Sequence, residues 1–148
     1  MKILLAIDDS KSSEAAVRAV ASLCPSRKST VRVLHVVEPI ETAVDPEFTP
    51  PYAMDFGDIA RKKMLAGRKL VAHTGDKLRA AGFGVDSAVR QGHPRTAIVD
   101  AAAKWHATLI VIGSHGRKGL AKLLLGSVSE HVARHAPCSV LIVRTKRR

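Results

Sequence analysis

The chain has 148 residues, of which 46% are hydrophobic and 3% aromatic, and it carries a formal net charge of +11. That length suits a single domain, and the apolar share is enough to fill its core, which excludes a disordered chain. No apolar run approaches the roughly 20 residues that cross a bilayer, so a membrane-spanning helix is excluded as well.

In chain order, Ile3-Leu4-Leu5-Ala6-Ile7 is apolar throughout and stops at Asp8, as expected of a strand buried on both faces. It is too short for a signal peptide, and no small-residue cleavage site follows it. Ala16, Ala19, Val20 and Leu23 then recur at helical spacing, with Ser10 as the cap and Pro25 as the stop. Val31 to Val37 is rich in β-branched residues and predicts a second strand. Residues 38–57 hold Pro39, Pro46, Pro50 and Pro51 and predict an irregular loop inside one domain. From Asp58 to Ala81, Gly67, Leu70, Val71, Thr74, Leu78 and Ala81 form one helical stripe, which Gly82 and Gly84 end. Val85, Ser87 and Val89 alternate as a third, more exposed strand. A third helix runs from Pro94, a favoured first-turn residue, to Trp105. Leu109-Ile110-Val111-Ile112 is the strongest strand signal and stops at Gly113. A glycine-rich loop, a short helix over Ser127 to His135 and a last strand, Val140-Leu141-Ile142-Val143, complete the domain. Residues 145–148 form a basic tail.

Five strands separated by helices predict one α/β domain over 1–148. Its sheet is expected to be five-stranded, parallel and doubly wound, with helices on both faces. In such sheets ligands bind beyond the carboxyl ends of the strands, where the strand order reverses. Asp8, Val36 and Gly113 stand at such ends. Residues 113–128, Gly-Ser-His-Gly-Arg-Lys-Gly-Leu-Ala-Lys-Leu-Leu-Leu-Gly-Ser-Val, lead from a strand end through a basic loop to a glycine that opens a helix. Glycines let backbone N–H groups approach a ligand, and a helix start favours phosphate. Ser127 adds a hydroxyl, and Arg117, Lys118 and Lys122 add charge.

The spacing Gly113-x-x-Gly116, nine residues, then Gly126-Ser127 resembles the ATP loop of the universal stress protein family. So do Ile3 to Ser10, Leu34-His35-Val36-Val37-Glu38-Pro39, Gly92-His93-Pro94 and the ending Ala136 to Val143. The resemblance covers nearly the whole chain, with residues 40–57 the least characteristic part. It implies a Rossmann-like fold of the adenine nucleotide alpha-hydrolase kind and binding of ATP, with Mg²⁺ or Mn²⁺ on the nucleotide. It further implies that Asp8 contacts the ribose or the phosphate-bound metal and that Val36 offers backbone groups to the adenine edge. Gly113 would lie against the ribose, with Ala6 and Ile112 beside it. Gly116, Gly126, Ser127 and Val128 would surround the phosphates. One position departs from the pattern: Asp9 stands where many members have glycine, adding negative charge near the site. The resemblance also implies a homodimer paired through Val140, Leu141, Ile142 and Val143, and a regulatory or stress-response role with little or no turnover. The other readings are a slow ATP hydrolase or adenylyl-transferring enzyme using Asp8 or His115, and an interaction module acting through its basic surface.

Other constellations are less informative. Neither Gly-x-x-x-x-Gly-Lys-Ser/Thr nor Gly-x-Gly-x-x-Gly occurs, which argues against a P-loop enzyme or the usual dinucleotide fold. His131 and His135 have the helical spacing of a zinc pair but no glutamate base between them. His35 is expected to be a packed histidine. Cys24 and Cys138 match no disulfide framework or metal motif, which suits a reducing cytoplasm. The cations Arg61, Lys62, Lys63, Arg68, Lys69, Lys77 and Arg79 are scattered over helix faces. Phe48, Phe56 and Phe83 fall near loops or element ends, so no strand interleaves aromatics for base stacking, and neither nucleic acid nor a membrane is the expected partner.

Overall fold

A computed structural model describes residues 1–39, 56–116 and 125–145. Its elements are β1 (Lys2–Ala6), α1 (Lys11–Leu23), β2 (Thr30–Val37), α2 (Phe56–Ala80), β3 (Gly84–Gln91), α3 (Pro94–Trp105), β4 (Leu109–Gly113), α4 (Ser127–His135) and β5 (Ser139–Val143). The strands form one parallel sheet in the order β3-β2-β1-β4-β5. Period-two alternation divides the central strands between two cores. Ile3, Leu5, Ile7, Val31, Val33 and Val111 pack with Ala16 and Val20 of α1 and with Val71 and Leu78 of α2. Leu4, Ala6, Leu34, Val36, Ile110 and Ile112 pack on the opposite face with Ile98, Ala101 and Ala102 of α3 and Val132 of α4. The doubly wound sheet expected from the sequence is therefore the observed fold.

Local chemistry sets the boundaries. The Ser10 side chain caps α1 by accepting the Ser13 N–H at 3.2 Å. Gly82 (φ 89°) ends α2 in a Schellman turn: its N–H donates to the Arg79 carbonyl, the Phe83 N–H donates to that of Leu78, and Phe83 and Leu78 are both buried. That turn corrects two sequence expectations. Ala81 is exposed rather than part of the apolar stripe, because it sits where the chain leaves the helix, and Gly84 opens β3 rather than ending α2. The proline-rich stretch expected as a loop lies outside the described residues from 40 to 55, and α2 already begins at Phe56, two residues before the predicted Asp58. Of the basic tail, residues 146–148 lie outside the described residues too.

Candidate functional site

The chain leaves β1 toward β2 and β3 on one side, and leaves β4 toward β5 on the other. The segments after β1 and β4 therefore diverge and leave a crevice at their carboxyl ends. Asp8 follows β1 and is tied to the start of α1. Its Oδ1 accepts the Ser13 hydroxyl at 2.7 Å and the Ser10 N–H at 3.1 Å, and its own N–H donates to Ser13 Oγ at 2.9 Å. The second carboxylate oxygen faces the loop after β4: a Cβ added to Gly116 would lie 2.9 Å from Oδ2. The carboxylate thus satisfies the positive end of α1 with one oxygen and presents the other to the crevice.

The loop after β4 is closed onto α4 through Ser114. This residue is 2% exposed, its N–H donates to the Val143 carbonyl at 2.8 Å, and its carbonyl accepts the Gly126 N–H at 2.7 Å. Ser129 Oγ lies 2.9 Å from the carbonyls of both Ser114 and Gly126. Gly126 is the N-cap of α4 with φ −74° and no side-chain cap, so its missing Cβ provides space rather than an unusual conformation. A Cβ there would come within 3.2 Å of the Ser114 carbonyl oxygen and 3.3 Å of His115 Cα. Ser127, the first residue of α4, is exposed, and Val128 is half-buried against the α3/α4 core. The first turn of α4 consequently presents backbone N–H groups that its N-cap residue does not cover with a side chain.

Gly113 is needed for packing. An added Cβ would be 2.7 Å from both the carbonyl carbon and Cβ of Ser12, so only glycine lets α1 settle on the end of β4. Ala6 and Ile112 are register partners with buried side chains in the α3/α4 core, so they can only floor the crevice. Val36 is also buried, and its backbone has a definite direction. Leu34 accepts the Ile7 N–H on the β1 side, and Val37 accepts the Gly92 N–H on the β3 side. Alternation turns the N–H and C=O of Val36 toward β1, beyond the last β1–β2 register pair, Ala6 with Leu34. His35 is the packed histidine expected, 5% exposed with Nδ1 2.8 Å from the Ile7 carbonyl oxygen.

Sequence reasoning overlooked Ser10, Ser13, Ser114 and Ser129 as the polar ties around the crevice. Only Ser10 carried a signal, as a helix cap. Arg117, Lys118 and Lys122 lie outside the described residues. His115 has Nδ1 3.0 Å from Ser114 Oγ, and its carbonyl accepts the Ser10 hydroxyl at 3.3 Å. Cys24 and Cys138 are free and half-buried, and burial raises both thiol pKa values, which disfavours thiolate chemistry. His131 and His135 stack with centroids 4.1 Å apart, and no group of three or more His, Cys, Asp or Glu among the described residues could hold a metal.

A family model described as the universal stress protein family matches residues 1–144. A universal stress protein of Synechocystis, Sll1388, is 31% identical over 97% of this chain and 97% of its own length. The solved structure of MJ0577, a test case for assigning biochemical function from structure, matches with a TM-score of 0.86 at 28% identity, covering 99% of this chain and 97% of that one. A universal stress protein solved in complex with cAMP matches with a TM-score of 0.65 at 26% identity, covering 99% of this chain and 98% of that one.

Proposed function

This chain belongs to the universal stress protein family, and we propose that it is an ATP-binding regulatory member whose nucleotide lies in the crevice between β1 and β4. The observation that carries the reading is the start of α4. Gly126 leaves the helix without a side-chain cap, and its N–H is tied back to Ser114. The first-turn N–H groups and the Ser127 hydroxyl then suit the phosphates, for which a helix start is a favourable seat. Gly116 and Val128 flank that seat, and Val36 directs its N–H and C=O to where an adenine edge would lie. Gly113, Ala6 and Ile112 form the floor. A structural relative that holds cAMP supports an adenine nucleotide as the ligand class.

Asp8 supports a binder more than an enzyme. Oδ1 is engaged by Ser10 and Ser13, and Oδ2 faces the loop at Gly116, where a cation brought in on the phosphates would lie. A single such oxygen suits Mg²⁺ or Mn²⁺ held mainly by the nucleotide. A homodimer through β5 belongs to the same reading. β5 is an outer strand of the sheet formed by the described residues, and Val140 to Val143 are half-buried in the single chain, so a second copy would cover that edge. A cytoplasmic setting fits the free thiols.

The test is calorimetric titration of ATP with Mg²⁺ into the purified protein, alongside mass analysis of the supernatant after denaturation. Adenine nucleotide carried through purification, or saturable ATP binding by nucleotide-free protein, is the expected result. Absence of both ends the proposal.

A further inference from the structure

α3 and α4 lie on the same face of the sheet, and both begin at the carboxyl ends of strands, so their first turns stand at the same end of the molecule. Between them is a cavity of about 190 Å³ lined by Arg95 of α3 and by Ser127, Glu130, His131, Arg134 and His135 of α4. The α4 residues follow the i, i+3, i+4, i+7, i+8 pattern of one helix face, so the lining belongs to one continuous surface. Glu130 is paired with Arg134 at 2.9 Å. Arg95 has no acidic partner among the described residues. The two arginines and the glutamate leave one net positive charge before either histidine takes a proton. The imidazoles stack at 4.1 Å with their planes 20° apart, and His135 Nδ1 lies 2.9 Å from the His131 carbonyl oxygen. A carbonyl can only accept, so His135 Nδ1 carries the hydrogen and Nε2 gains one only when the ring is protonated.

We propose that this cleft binds a phosphoryl dianion, with Arg95 as its fixed charge, Ser127 and His131 as hydrogen-bond donors, and His135 stacked against His131 in the wall. The lining favours an anion because its one carboxylate is already paired with Arg134, while Arg95 has no acidic partner among the described residues. Arginine supplies the planar fork that matches phosphate oxygens. The cavity is smaller than the roughly 300–1,000 Å³ typical of pockets that enclose a whole small-molecule ligand, so it suits one phosphoryl group rather than a nucleotide. Two sources carry that chemistry: a free phosphate compound, or the outermost phosphate of a nucleotide seated at the start of α4, since Ser127 borders both places.

The test follows the imidazole resonances of His131 and His135 by NMR at constant pH and ionic strength, assigned with His131→Gln and His135→Gln. Inorganic phosphate and ATP are titrated separately into the parent, Arg95→Ala and Arg95→Lys. Arg95 is exposed, so both substitutions are expected to leave the fold unchanged, with a melting curve as the control. Saturable movement of both rings by inorganic phosphate, weakened about tenfold or more in Arg95→Ala and less in Arg95→Lys, supports the site and a free ligand. Movement by ATP alone, with the same dependence on Arg95, supports the site with the nucleotide as its source. Unmoved rings with both titrants, or equal affinity in the parent and Arg95→Ala, overturn the site. A response to phosphate in a protein that shows no calorimetric ATP binding would keep this site and remove only the nucleotide reading above.

Discussion

Gly113 and Gly126 stand at the two ends of the same loop, yet the lack of a side chain serves different purposes. Gly113 is fixed by the backbone of Ser12 at 2.7 Å, so Gly113→Ala must push α1 away from β4. Overpacking of this kind costs about 1–3 kcal/mol, and the melting temperature without ligand should fall accordingly. Ser127 is exposed at the start of α4, so Ser127→Ala should leave that temperature unchanged and act on ATP affinity alone. Losing one hydrogen bond to a charged group would weaken ATP by about 1.5–3 kcal/mol in calorimetric titration. An affinity equal to the parent's would remove Ser127 from the phosphate seat. The glycines and Ser127 could be named as candidates because a spacing motif marks them. The buried serines could not, because their role depends on which carbonyls the fold brings near. Ser114 and Ser129 are 15 residues apart and meet only once β4 and α4 are in place.

At the scale of elements, α3 and α4 coincide with the spans read from the sequence, since Pro94 and Gly126-Ser127 are sharp start signals. The C-terminus of α3 had no such signal. His106 occupies the left-handed conformation, φ 55°, that glycine normally fills at a helix end. Its N–H donates to the Ala103 carbonyl at 3.1 Å, and the Ala107 N–H donates to that of Ala102 at 2.9 Å, so α3 ends in the same kind of turn as α2 but without the glycine. The left-handed conformation costs a residue with a Cβ roughly 1–2 kcal/mol, of which glycine's greater freedom in the unfolded chain takes back part. His106→Gly should therefore stabilise the protein by about 0.5–1 kcal/mol, measured by urea denaturation, because the side chain is exposed and no packing is lost. A loss of stability would mean that the imbalance in the unfolded chain exceeds the strain.

On the scale of the whole molecule, alternation of apolar runs and helical stripes was enough to predict a parallel, doubly wound sheet. The order β3-β2-β1-β4-β5 was not, because nothing local in a fully apolar strand identifies its neighbours. That order creates the crevice, and on the proposed reading adenine selectivity would be a property of the crevice as a whole, with the backbone of Val36 reading the base while α4 holds the phosphates. ATP at about 100 times its dissociation constant should add roughly 2.7 kcal/mol in a thermal-shift series, and GTP much less. An equal GTP response would remove the role of Val36 and keep the phosphate seat. The charge of +11 is the other global property, and its distribution decides what it can do. Arg18, Arg32, Arg61, Arg79 and Arg134 each pair with a nearby carboxylate, on α1, β3, α2 and α4. These five are spread over α1, β2, α2 and α4 with their charge neutralised, so none of them adds to a cationic track along a phosphate backbone. Duplex DNA titrated between 50 and 200 mM salt should then bind weakly, with a log–log slope no steeper than about −3. A protein that seats six to ten phosphates would show roughly −5 to −9. Fluorescence anisotropy of a labelled duplex measures this slope. A steep slope with tight binding retained at physiological salt would make the basic surface the function and leave the glycine loop incidental.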